Sequence, residues 1–233
     1  MLDILDMIVG CAVTIGVYLL MERLSRAGRD HPLLNPVLTS MLLIGAALYA
    51  LHIPYERYAA AAWPISFLLT PATIALAVPL FRNAAIIRRS ALPLGVALLC
   101  GSATAVLTAV LCAHVFGLPD VVLRSLAPKS VTTPVAMIVS AQIGGSPTLT
   151  AAFAIVSGVI GAMFAPMILG AKHDRRFRGF GIGIASHGIG TARALAIDVL
   201  AGTFSGLALG LNAIATALLL PPVFHLLLAW FSR

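Results

Sequence analysis

Arg124-Ser125-Leu126-Ala127-Pro128-Lys129-Ser130-Val131-Thr132-Thr133-Pro134-Val135-Ala136-Met137-Ile138-Val139-Ser140-Ala141-Gln142-Ile143-Gly144-Gly145-Ser146 is long enough to cross a bilayer, yet the charges around it say that it does not. Downstream, residues 147–170 are an apolar run of the length a span needs, about 20 residues. Lys172, Arg175, Arg176 and Arg178 follow as the densest basic loop of the chain. Lys and Arg collect in cytoplasmic loops, so this loop is expected inside. Upstream, residues 91–116 lead outward to Gly117-Leu118-Pro119-Asp120. An odd number of crossings must separate Asp120 from Lys172, and 147–170 supplies one. Segment 124–146 therefore enters from outside and returns there, as a re-entrant hairpin.

The composition of the whole chain agrees with a membrane setting. Of 233 residues, 60% are apolar and 10% charged, with a mean hydropathy of +1.03. A soluble domain of this length carries about 58 charges, against the 15 basic and 8 acidic residues present here. The apolar excess has to face lipid, which excludes a soluble enzyme, a nucleic-acid binder and a disordered regulator. The net charge of +7 is read as orientation signal and not as affinity for nucleic acid. Asp3 and Asp6 at the start, and the missing small-residue cleavage site after the run Ile8–Met21, argue against a secretory signal. Cys11, Cys100 and Cys112 lie in apolar stretches with no metal-ligand spacing, and no cofactor or metal is expected.

The remaining spans are read from the same logic. The first is about 4–22, followed by the arginines Arg23, Arg26 and Arg29 beside Asp30 on the cytoplasmic side. The second is about 33–51, ending at His52-Ile53-Pro54. The third, about 59–81, carries Pro64, Pro71 and Pro79 and is expected to be kinked or discontinuous, because proline breaks the helical ladder. Arg82, Arg88 and Arg89 return the chain to the cytoplasm. Segment 179–193 holds five glycines in its first twelve residues. Each glycine costs about 1 kcal/mol in a helix, so a second broken or re-entrant segment is expected, entering from the cytoplasm. Residues 195–230 read either as two tight spans broken near Asn212 or as one long kinked helix, with the former preferred. The fold class is thus an all-α polytopic integral membrane protein of about 7–8 transmembrane helices with two broken segments. It is a single transmembrane domain over 1–233. Leu69-Thr70-Pro71-Ala72-Thr73-Ile74 echoes Leu126-Ala127-Pro128-Lys129-Ser130-Val131, which admits an inverted repeat of about 1–117 and 118–233.

Two segments carry chemistry. Lys129, one of two lysines in the chain, stands among Ser130, Thr132 and Thr133 ahead of Pro134. A buried ammonium is costly unless paired or wet, and helix N-termini attract carboxylates. Together these residues suit a small carboxylate; the competing reading has Lys129 snorkelling to the interface and the hydroxyls capping a helix. The second segment is Ser186-His187-Gly188-Ile189-Gly190-Thr191-Ala192-Arg193, followed by Asp198. Arg193 offers a planar fork to a carboxylate, and His187 is expected to bind the substrate or to couple a proton. Asp198 is expected to balance Lys129 or Arg193. The plainer readings are a topology charge, a structural histidine and a helix cap. Gly202, Gly206 and Gly210 recur on one helix face and are expected to let backbones approach closely. No nucleophile–base pair suggests an enzyme: Ser186 and His187 are adjacent, and no nucleophile elbow is present.

These motifs, with Pro71-Ala72-Thr73-Ile74-Ala75-Leu76-Ala77-Val78-Pro79-Leu80 and Phe204-Ser205-Gly206-Leu207, resemble the LrgB/CidB family of antiholin-like bacterial membrane proteins. The resemblance covers nearly the whole chain and is looser over 1–60. It implies either of two functions. One is regulation of murein hydrolase activity and autolysis beside a small holin-like LrgA/CidA partner. The other is transport, since members are tied to pyruvate uptake and a plastid relative exchanges glycolate and glycerate. The broken segments and the buried cation favour a transporter of small monocarboxylates working by alternating access, with Lys129 and Arg193 on the carboxylate. The protein is expected in the bacterial inner membrane, as a homo-oligomer beside an LrgA/CidA-like protein.

Overall fold

The computed structural model describes residues 4–28, 34–75, 77–170 and 174–231. Asp3, Arg29, Asp30, Leu76, Lys172 and His173, on which parts of the sequence reading rest, lie outside the described residues, as does the side chain of His225. The regular structure among the described residues is entirely helical. Residues 1–79 and 80–233 form two compact units.

In the first unit, α1 (Ile4–Ala27) is a single long apolar helix. The helix α2 (Pro36–Ala50) starts where Asn35 Oδ1 accepts from the amides of Val37 and Leu38, with Pro36 fixing the first helical turn. The third span does not run as one helix. It falls into α3 (Tyr55–Ala61), α4 (Trp63–Ala75) and α5 (Ala77–Arg82), with Pro71 inside α4. Gly10 lets α1 rest on α3: a Cβ there would stand 2.7 Å from that of Ala61. One turn on, the hydroxyls of Thr14 and Tyr58 meet at 2.8 Å.

The second unit continues through α6 (Ala84–Arg89), α7 (Ala91–Val115), α8 (Asp120–Leu126), α9 (Thr133–Gln142), α10 (Pro147–Leu169), α11 (Arg175–Ile197) and α12 (Val199–Phe231). Among the described residues four helices, α1, α7, α10 and α12, are long and apolar enough to span a bilayer. Many of their large aliphatic side chains point outward, as lipid requires: Leu92 is 80% and Ile168 75% exposed. The interior is built instead from small residues and a few aromatics, notably Phe180, Phe204 and Phe224.

Both broken segments fold back on themselves. In the first, Arg124 and Ser125 of α8 contact the turn that follows α9. The Arg124 guanidinium donates to the Ile143 carbonyl at 2.9 Å, and the Ser146 amide donates to Ser125 Oγ at 2.8 Å. In the second, Arg175 and Asp198 close an ion pair at 3.0 Å. A straight helix would hold the ends of α11 about 35 Å apart. The chain reverses at His187, whose φ of 39° and ψ of −130° lie outside helical space. The helix α10 separates the two hairpin bases, since it begins at the first and ends before the second. At 23 residues it is about 35 Å long, so the hairpins enter from opposite ends of a membrane-spanning helix.

The chain after Asp198 is one helix of 33 residues, α12, continuous through Asn212. The preferred reading of two tight spans is therefore corrected. Asn212 interrupts nothing, because its amide bonds to neighbouring elements and leaves its own backbone ladder intact. The glycine face is unevenly packed. Gly202 packs against Leu195 and Gly206 is buried, but Gly210 faces open space. The closest approach is made from the other side, where Gly179 and Gly183 of α11 lie on the carbonyls of Ala201 and Ser205 in α12.

A methyl group at Gly183 would run into the Ser205 carbonyl and stand 2.8 Å from Ala208 Cβ. Gly183→Ala is expected to cost about 1–3 kcal/mol, seen as a lower thermal midpoint in detergent. Gly95→Ala, with open space around it, should be neutral or stabilising by up to about 1 kcal/mol. Equal midpoints for the two variants would contradict the close α11–α12 contact.

Candidate functional site

The tip of the first hairpin is the non-helical stretch 127–132 between α8 and α9. Pro134 sits in the first turn of α9, where a missing amide hydrogen costs nothing, and its ring biases Thr133 away from continuing a helix backwards. Thr132 is the N-cap, but its side chain makes no capping bond, so the first amides of α9 are not satisfied by it. Lys129 is half-buried here, and no described carboxylate pairs with it. Its backbone carbonyl accepts from Ser157 Oγ at 3.1 Å, which anchors the tip to the middle of α10.

The tip of the second hairpin is Ser186-His187, both buried. His187 Nε2 lies 2.9 Å from the Ala154 carbonyl of α10, to which it donates. Gly158 makes room for this ring: a Cβ there would be 2.6 Å from both Cε1 and Nε2. Gly161 does the same for Ser186, whose Oγ has no hydrogen-bond partner among the described residues. Thr191 Oγ1 donates to the His187 carbonyl at 2.8 Å and meets Ser205 Oγ at 2.9 Å, tying the returning leg to α12.

The two tips meet on one side chain. Asn212 Nδ2 donates to the Ser130 carbonyl at 3.1 Å and to the Ile184 carbonyl at 3.4 Å. Ser102 Oγ of α7 donates to Asn212 Oδ1 at 2.5 Å. Ala154, Ser157 and Gly158 surround the midpoint of α10, so this meeting lies near half the depth of a spanning helix.

The residues singled out in the sequence thus divide. Lys129, Ser130, Thr132 and Thr133 belong to the first tip and His187 to the second. Arg193 is half-buried on the returning leg of α11, six residues beyond His187. Asp198 stands at the hairpin base. There it pairs with Arg175 at 3.0 Å and caps α12 by accepting from the Ala201 amide at 2.9 Å. It is therefore placed as a base clamp and cap, away from Lys129. Sequence reasoning missed Asn212, Ser102, Ser157, Gly158 and Gly161. The available signal for Asn212 was a lone amide inside an apolar run, which at membrane depth needs partners.

Residues 14–226 match the model of the LrgB-like family. The chain belongs to the LrgB-like family. It is 37% identical over 204 residues to the uncharacterized protein YxaC of Bacillus subtilis (strain 168), covering 87% of this chain and 88% of that protein. It is 31% identical over 211 residues to the holin-like protein CidB of Staphylococcus aureus (strain N315), covering 90% of this chain and 92% of that one. No solved structure matches the chain.

Outside the membrane, the entry to α11 has its own electrostatics. Asp174 caps the helix by accepting from the Arg176 amide at 2.9 Å, and the Arg176 side chain chelates the same carboxylate. The hydrogen bonds from Arg176 lower its pKa from 3.8 to about 2. A carboxylate depressed in the folded state stabilises above its unfolded pKa and loses that contribution as pH falls through the folded value. The cap is thus expected to be intact from neutral pH down to 3.8 and to weaken between 3.8 and about 2. Arg176→Ala should return the Asp174 titration toward 3.8, read by carbon NMR of labelled aspartate; an unmoved titration would contradict the pairing.

Proposed function

We propose that this LrgB-like protein moves small monocarboxylate anions, 2-oxo or 2-hydroxy acids such as pyruvate or glycolate, across the bacterial inner membrane by alternating access. The observation that carries this reading is the meeting of two opposed hairpin tips at Asn212, beside an α9 N-terminus not capped by Thr132. A helix N-terminus presents unpaired amides and partial positive charge. The leg of α11 after His187 begins a second helix N-terminus. Paired discontinuous helices of this kind hold anionic substrate groups in secondary transporters.

In this reading Lys129 supplies the full positive charge, and Ser130, Thr132 and Thr133 supply hydroxyls beside it. Arg193 meets the carboxylate as it travels along the returning leg of α11. His187 carries a proton or orients the acid. Asp198, through Arg175, holds the hairpin base closed. The chain acts as a homo-oligomer alongside a small LrgA/CidA-type membrane protein, and its charge loops fix the Lys172–Arg178 side in the cytoplasm.

A second reading has its own support in the relatives named holin-like: a regulator or oligomeric pore governing autolysis with that same partner. The two differ in kinetics. A carrier saturates and is competed by related acids; a pore leaks in proportion to concentration.

Labelled pyruvate and glycolate uptake into proteoliposomes separates them. Uptake is expected to saturate, to be competed by unlabelled 2-oxo and 2-hydroxy acids, and to fall at least tenfold in Lys129→Ala and Arg193→Ala, with partial recovery in Lys129→Arg. Losing one charge-assisted contact is worth about 1.5–3 kcal/mol, which is that order of loss. Linear, uncompeted flux that neither alanine variant alters would overturn the reading.

A further inference from the structure

Asn212 is a long way in sequence from everything it touches: 110 residues from Ser102, 82 from Ser130 and 28 from Ile184. It is 1% exposed. Its three contacts belong to three different pieces of the second unit: α7, the tip of the first hairpin and the last turn before the break in α11. The orientation of the amide is fixed chemically. A serine hydroxyl donating to Oδ1 leaves the two hydrogens of Nδ2 for the two carbonyls. Each carbonyl sits where a helix has been interrupted, so neither is assured the amide four residues on. One NH2 group therefore serves a broken end of each hairpin.

Other buried polar groups nearby do not share this arrangement. Thr203 bonds only to Val199 within its own helix. Ser157 reaches the first tip alone, and His187 joins the second tip to α10 alone. A crevice too tight for water, lined by Ser102, Pro128, Ser130, Asn212 and Thr216, lies beside the node, and an apolar cleft of about 320 Å³ between α7 and α12 shares Ser102 and Thr216 with it.

We propose that Asn212 is the positioning residue that holds both hairpin tips together, and that Ser102 sets its orientation. Closure of the carboxylate site between the tips then depends on a side chain that never touches the substrate. The role in closure rests on the transport reading; the bridging of the tips does not.

The test uses the full chain in lipid nanodiscs and proteoliposomes, with Asn212→Leu, Asn212→Asp, Ser102→Ala and the buried control Thr203→Val. Hydrogen exchange is followed at 128–136 and 184–191. Both segments are expected to exchange about tenfold faster in Asn212→Leu and Asn212→Asp than in the control. Asn212→Asp keeps the acceptor for Ser102 but sets a carboxylate against two carbonyls. Ser102→Ala should give a smaller effect that does not add to that of Asn212→Leu, as expected for partners in one network. In uptake, KM for pyruvate is expected to rise about tenfold with a smaller change in maximal rate.

Unchanged exchange at both tips, or a change at one tip only, overturns the proposal. So does a loss of maximal rate with KM unmoved. If Asn212→Leu fails to fold, the Asp and Ser102→Ala variants carry the same comparison. Loosened tips in the Asn212 variants, with a wild-type protein that takes up no acid saturably, would sink the transport reading and leave the bridge standing.

Discussion

A helix broken at bilayer depth strands amides and carbonyls where no water reaches them, and each orphan costs several kcal/mol. The second unit breaks at that depth at 127–132 and at His187, and its other helices are arranged around meeting that cost. Asn212 takes a carbonyl from each break, Ser157 takes the Lys129 carbonyl, and Thr191 takes the His187 carbonyl. The partners come from α10, α11 and α12, so the breaks exist only when these helices are packed. Two features stand apart from this: Thr132 makes no side-chain cap to α9, and the Ser186 hydroxyl has no partner among the described residues.

Small residues make that packing available. Gly158 and Gly161 clear space on α10 for the His187 ring and Ser186, while Gly179 and Gly183 bring α11 down onto the backbone of α12. In lipid there is no hydrophobic drive between helices, and close backbone contact is what holds them. Many large aliphatic side chains are accordingly placed outward, and two ion pairs sit at helix ends: Asp174 with Arg176, and Arg175 with Asp198. Lys129 differs, a cation at a hairpin tip.

Much of this was legible from residue types. Counting charges on either side of 124–146 leads to a hairpin, because parity is a global constraint that local apolarity cannot override. The glycine run 179–190 leads to the second break, because a helix tolerates few glycines. Helix α12 was harder. Asn212 looks like a place to break a span, and only the positions of Ser102, Ser130 and Ile184 turn it into a bridge; those contacts span up to 110 residues. Gly202, Gly206 and Gly210 share a face by spacing, but spacing does not say what lies opposite, and Gly210 meets nothing. Asp198 shows the same limit: its partner was sought among buried cations, while the fold-back of α11 delivers Arg175.

The opposed entry of the two hairpins is the claim on which the site depends. It is tested most directly by single cysteines at Gln142, near the base of the first hairpin, and at Phe177, near the base of the second, in a background with Cys11, Cys100 and Cys112 replaced. Labelled in sealed cells with a membrane-impermeant maleimide, the Gln142→Cys protein should react from outside, and the Phe177→Cys protein should react only after permeabilisation. Labelling of both from the same side would contradict the opposed hairpins and the mid-depth site built on them.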